Sequence, residues 1–220
     1  IDTVAGELKE KGPGNQPMWT RDFACMYTHL PQQKIIEGNK KAIREAFEYF
    51  ASEGGHNIDL LKVGVDFDIE GKTTASFDPT GEGDLTFQQI VTYIEACNTA
   101  VYFCHGDPTD PDTPTPHQTQ GLPMGSKCSS EMANLYSYAC DSTFIDTLLA
   151  SGQHFEATKW FPTWRHIDYS LGIGIRNWNT AGACPEDGME HINATNAPGQ
   201  KVVILGMAAE NTELGMVLSV

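Results

Sequence analysis

The chain has 220 residues, 40% of them apolar and 10% aromatic, enough for one large domain or two small ones with a real core. Its formal charge of −15, from 14 Lys and Arg against 29 Asp and Glu, argues against a surface built to hold nucleic acid, whose phosphates need cations. No run of about 18 apolar residues occurs, so no membrane span is expected. The opening stretch IDTVAGELKEKGPGNQP is polar and acidic, without the basic-then-apolar layout of a secretion signal. An intracellular protein, nuclear or cytoplasmic and not secreted, is the expectation. A chain that begins at Ile1 reads as a candidate piece of something longer.

Residues 1–17 read as an irregular lead-in. MWTRDFACMY (18–27) suits a buried strand. Pro31 then opens a helix whose apolar residues Ile35, Ile36, Ala42, Ile43, Ala46, Phe47 and Phe50 recur at helical spacing, and Gly54-Gly55 ends it. LLKVGVDFDI alternates as a strand, and KTTASFD is its candidate partner. DLTFQQIVTYIEACNT (84–99) reads as a second helix, with Asp84 as a candidate cap. AVYFCHG (100–106) reads as a strand. The stretch 107–119, with four prolines and three aspartates, reads as a mobile loop.

GLPMGS (121–126) is a Gly/Pro turn before a long helix carrying Met132, Leu135, Tyr136, Ala139, Ile145, Leu148 and Leu149. ATKWFPTWRHIDYSLGIGIRN reads as a β-hairpin with Ile167-Asp168-Tyr169 at its bend. An Asn/Gly/Pro-rich stretch follows, then a strand over 200–210 and a tail over 211–220. This order predicts an α+β fold with helices on one face of a mainly antiparallel sheet.

Six cysteines, at 25, 97, 104, 128, 140 and 184, include no C-x-x-C pair and read as buried free thiols. Cys104, His105 and His117 fit no standard zinc spacing. Met26, Met124 and Met132 read as core packing. The sequon at Asn193-Ala194-Thr195 carries little meaning without a secretory route.

Asp22 and Asp168 stand out because each lies in an otherwise apolar strand. Carboxylates are rarely buried unless paired or bound to a cation. Two at neighbouring strand ends would repel, and a divalent cation such as Mg²⁺ removes that cost. Such a site activates a hydroxyl and stabilises a leaving pyrophosphate. The bland alternatives stay open: Asp22 paired with Arg21 or Arg165, Asp168 a turn residue, Tyr27 a core aromatic, and Gln120, Gly121 and Gly125 a turn needing glycine's backbone freedom.

Four segments in order resemble the palm of a reverse transcriptase, with a flavour close to Penelope-like retroelements and telomerase relatives. TRDFACMYTHLPQ (20–32) resembles the first motif. The resemblance implies a metal-binding Asp22, with Phe23 and Tyr27 at the nucleotide and Tyr27 testing its sugar. QTQGLPMGSKCSSEMANLYSY (118–138) resembles the second, implying that Gln120 and Gly121 line the nucleotide pocket. RHIDYSLGI (165–173) resembles the third, with Asp168 as metal ligand. GQKVVILGM (199–207) resembles the later motifs, implying Lys201 near the triphosphate and Leu205-Gly206 at a hairpin gripping the primer.

The resemblance spans residues 18–210 and implies a palm-type, RRM-like (ferredoxin-like) sheet. It implies two Mg²⁺ ions, deoxynucleotides, an RNA template and a DNA primer. Tyr169 stands where that family has a second Asp, and a neutral phenol is a poor Mg²⁺ ligand. Aligned this way, the resemblance leads to the expectation that fingers and thumb are missing or reduced. A degenerate palm kept as a structural or protein-binding module is therefore the alternative.

Overall fold

The computed structural model describes residues 18–23, 26–67, 69, 71–104, 106–107, 109–158, 163–166, 169–173, 189–195, 201–204, 207–212 and 215–219. It is an α+β structure of two compact units. One comprises Leu30–Ala139; the other joins the described residues up to His29 with those from Cys140 onward.

In the Leu30–Ala139 unit, α2 (Gln32–Gly54) follows Pro31, as the proline predicts. It stops at Gly55, whose φ of 64° is left-handed. Its buried positions Ile35, Ile36, Ala42, Phe47 and Ala51 form one stripe. Strands β2 (Lys62–Phe67) and β3 (Thr73–Asp78) pair antiparallel in the expected register partnership, and the two-residue β4 (Leu85–Thr86) joins β2 on its other edge.

α3 (Phe87–Thr99) starts later than its sequence pattern suggests. Its cap is Thr86 and not Asp84. Thr86 Oγ1 accepts from the Gln89 N–H, and the Gln89 side chain accepts from the Thr86 N–H at 2.8 Å. Asp84 instead accepts from the Val65 N–H at 2.8 Å.

Phe47 is the centre of this unit's core. It meets Phe77 edge-on at 5.0 Å and Phe87 at 5.6 Å, while Phe50 stacks on Phe77 at 4.7 Å. These rings join α2, β3 and α3 over one face of the sheet.

α4 (Ser129–Ala150) crosses the boundary between the units. Its first turns approach α2 closely. A Cβ on Gly38 would lie 2.9 Å from Tyr136 Cδ2, so glycine permits the contact. Buried Asn39 bridges the helices, donating to Ile35 O and Met132 O.

The strand expected over 100–106 is not formed. Among its described residues only an isolated bridge, Tyr102 to His117, is present, and Tyr102 and Phe103 are exposed. An aromatic-rich sequence was not enough without a neighbouring strand to bury it. The 107–119 loop is held by its aspartates: Asp107 accepts from the Thr109 N–H and hydroxyl, and Asp110 from the Asp112 N–H.

In the other unit, β1 (Met18–Phe23) is shorter than the expected strand, because Met26–His29 turns into the short helix α1. After α4 and the short α5 (His154–Thr158), β5 (Thr163–His166) and β6 (Tyr169–Ile173) form the expected hairpin. β7 (Met189–Thr195) arises within the Asn/Gly/Pro-rich stretch, where no strand is predicted. These strands make an antiparallel sheet ordered β5-β6-β1-β7. The single strand expected over 200–210 is two, β8 (Lys201–Ile204) and β9 (Met207–Thr212), and β10 (Gly215–Ser219) completes their sheet from within the predicted tail.

Two expectations about sulfur-bearing residues fail. Met124 is exposed rather than core. Cys104 is an exposed free thiol, and Cys97, Cys128 and Cys140 are only half-buried.

Candidate functional site

The register of the four-stranded sheet decides which polar residues are neighbours. Asp22 on β1 stands opposite Tyr169 on β6 and, across its other edge, opposite Glu190 on β7. Tyr169 in turn faces His166 on β5. One row across the sheet therefore reads His166, Tyr169, Asp22, Glu190. Arg165, Ser170, Arg21 and His191 form the next row. Alternation assigns successive rows to opposite faces, so neither arginine shares a row with Asp22. Thr20, two residues before Asp22 and on its face of β1, is only 1% exposed.

Asp168 lies outside the described residues; its chain neighbour Tyr169 is the residue paired with Asp22. Phe23 ends β1 opposite Met189. Tyr27 is half-buried on α1. Lys201 opens β8 opposite Glu210 on β9, a cross-strand pairing of opposite charges. Leu205 and Gly206 lie outside the described residues. Glu190 carries no signal in the sequence, because M-E-H-I-N-A-T has no clear apolar alternation and follows a glycine- and proline-bearing run.

Gln120 and Gly121 belong to the Leu30–Ala139 unit. Gly121 has φ 78° and donates its N–H to Leu30 O at 2.8 Å, so the turn requires a residue tolerant of left-handed geometry. Gly125, at φ 91°, serves the same turn. The Gln118 side chain ties the segment down by donating to Gln120 O at 2.8 Å, and Gln32 donates to Gln118 O at 3.1 Å.

Beside this turn is an open cleft of about 460 Å³, lined by Pro31, Gln32, Gln33, Thr99, Thr119 and Gln120 among others. It lies at the start of α2, where Pro31 offers no side-chain cap and the first N–H groups of a helix lack intrahelical partners. Three amides and two hydroxyls share the lining with the apolar Pro31 and Ile36, and no charged side chain is among them. Such a lining suits an uncharged polar group, such as a base or sugar, better than a triphosphate.

Among the described side chains, no group of three His, Cys, Asp or Glu is arranged to hold a metal ion. No described helix is long and apolar enough to cross a membrane.

No protein-family model matches the chain, and no curated protein matches its sequence. Solved structures do. Telomerase from Candida albicans, in complex with a TWJ fragment of telomeric RNA, superposes with a TM-score of 0.53 at 13% identity, over 98% of this chain and 33% of that one. Apo telomerase from Candida tropicalis gives 0.54 at 11% identity, over 98% of this chain and 34% of that one. The fold is telomerase-like, and hence reverse-transcriptase-like. The chain spans about one third of the length of those telomerase chains.

Proposed function

We propose that this telomerase-like fold is the palm of an RNA-directed DNA polymerase, an intracellular nucleotidyltransferase that extends a primer 3′-end with deoxynucleotides on an RNA template. The observation that carries the reading is the β1–β6 register, in which Asp22 pairs with the residue next to Asp168. Directly opposed residues of an antiparallel pair hold their Cβ atoms about 5 Å apart. A cation shared by Asp22 and Asp168 is the arrangement this pairing supports.

Asp22 and Asp168 are the residues that would hold Mg²⁺, and Glu190 is a second carboxylate in the row of Asp22. Like charges directly opposed across a ladder are destabilising, so the Asp22–Glu190 pairing itself favours a cation. The donor set, carboxylate oxygens, is the one Mg²⁺ prefers. When bound, Mg²⁺ would polarise the phosphoryl group and lower the pKa of the attacking hydroxyl. In this reading Phe23 and Tyr27 border the sugar, Gln120 and Gly121 shape the nucleotide pocket, and Lys201 neutralises phosphate.

Primer extension by the protein containing this chain, with Asp22→Asn alongside, tests the reading. Activity falls by more than about 100-fold in the variant, beyond the cost of losing an outer-shell partner of a metal. Equal extension by both proteins removes Asp22 from the chemistry.

One observation favours a second reading. Tyr169, a neutral phenol, occupies the ladder position opposite Asp22 where the resembled family's motif has its second Asp. With a net charge of −15, this describes a degenerate palm kept for protein contacts. Absence of extension by the wild-type protein, with Mg²⁺ and deoxynucleotide binding also absent, selects this second reading.

A further inference from the structure

Strand β3 is an open edge. Its sheet runs β3-β2-β4, and β3 pairs with β2 alone, through six consecutive residues without a bulge. Thr73, Thr74, Ala75 and Ser76 are exposed, and among the described residues 73–78 make no backbone hydrogen bond beyond that ladder. An exposed edge with neither proline nor bulge is a template for a further strand. Phe77 lays its ring on Phe47 and Phe50, so alternation puts Thr74, Ser76 and Asp78 on the opposite face of the sheet. On that face Asp78 stands opposite Lys62 of β2. Lys72, just before the strand, is exposed.

We propose that β3 is a homodimerisation edge, to which a second copy of this chain adds its own β3, antiparallel and centred on Ala75, in one continuous sheet ordered β4-β2-β3-β3-β2-β4. The edge is complementary to itself. Opposed residues of an antiparallel pair turn their N–H and C=O groups the same way, so two copies related by a two-fold axis pair about a single residue. Centring on Ala75 sets Thr74 opposite Ser76, Thr73 opposite Phe77, and Lys72 opposite Asp78, each contact made twice. The outer row then reads Lys62, Asp78 and Lys72 of the second copy, alternating in sign, and opposite charges directly opposed across a ladder are stabilising. On the other face, Phe67 is 72% exposed and stands opposite Thr73, so its row continues into Phe77 of the second copy. A strand edge buries less than the roughly 1,200 Å² of a stable interface, so the dimer is weak and reversible. This inference does not depend on the polymerase reading.

The test is sedimentation equilibrium of the full chain up to about 500 μM, the range in which a weak dimer is populated, with hydrogen exchange at low and high concentration. The expected result is a monomer–dimer equilibrium in which the amides of residues 73–78 gain protection as concentration rises. Lys72→Asp sets like charges against Asp78 twice and weakens association by about tenfold. Ala75→Lys opposes two lysines at the axis and weakens it as well. Lys127→Asp, an exposed lysine on the turn before α4, changes the net charge equally and leaves association unaltered. Hydrogen exchange of the wild type stands even where a variant misfolds, and circular dichroism reports that case. A monomer at every concentration, including one whose β3 edge takes up a strand of another protein instead, would overturn the proposal. So would a dimer whose protection lies outside 73–78, or one indifferent to both Lys72→Asp and Ala75→Lys.

Discussion

The two units are built on different physics. In Leu30–Ala139, apolar rings from two helices and a small sheet converge on Phe47, and polar groups serve mainly as caps, turns and bridges. In the other unit, one end of a four-stranded sheet carries His166, Tyr169, Asp22 and Glu190 in one continuous row. Like charges directly opposed across a ladder are destabilising, so the Asp22–Glu190 pairing is not one that serves the fold alone. The contrast separates positions that hold the fold from positions whose chemistry needs a further explanation. It predicts that substitutions in the first unit read out as stability, and substitutions in the Asp22 row as cation binding and activity.

The largest stability effect falls on Phe47, 1% exposed and packed on two other rings. Phe47→Ala lowers unfolding free energy by about 3–5 kcal/mol, measured by denaturant titration. A cost comparable to a surface substitution would mean that this core is not the one described. Gly38→Ala is the finer case. Alanine gains about 1 kcal/mol of helix propensity. Its Cβ meets the buried Tyr136 ring at 2.9 Å, and overpacking typically costs about 1–3 kcal/mol. The net expectation is a loss of about 1 kcal/mol by the same titration, and a gain in stability would show that α2 and α4 are not so close.

Much of the Leu30–Ala139 unit was legible in the sequence because its signals are local. Pro31 and Gly55 mark the ends of α2, and the alternation in KVGVDF and TTASFD marks a hairpin. The capping error at Asp84 has a simple cause: the Thr86–Gln89 spacing makes a reciprocal box, and Asp84 is two residues too early for it. Partners distant in sequence are harder to read. Tyr102 has strand chemistry and only one bridge, while β7 has weak strand chemistry and a full partner in β1. For the same reason Asp22 stands out in the sequence as a type of residue out of place, and its neighbour Glu190 does not. Register is a property of pairing, and 168 residues separate those two along the chain.

The smallest expected effect concerns the loop aspartates. The Thr80 hydroxyl and N–H hold Asp78 below the ordinary aspartate value of 3.8, and the Thr109 hydroxyl and N–H do the same for Asp107. A carboxyl with a folded-state pKa below its unfolded value contributes stability above the unfolded value, and that contribution is lost as pH falls through the folded one. Asp107 is exposed and Asp78 half-buried at the end of its strand, so acidification below 3.8 loosens these two loops with little change in global stability. Carboxyl chemical shifts followed through an acid titration would show midpoints below 3.8; midpoints at or above it would contradict the hydrogen bonding described.

Calorimetric titration of Mn²⁺ or Mg²⁺ into the wild type, Tyr169→Asp and the double variant Tyr169→Asp/Asp22→Asn tests most directly whether the Asp22 row is a cation site. Tyr169→Asp is predicted to tighten binding by about tenfold or more, and the added Asp22→Asn to abolish that gain. Affinity unchanged by Tyr169→Asp, or a gain that survives Asp22→Asn, would contradict a cation shared between the early strand and the late hairpin.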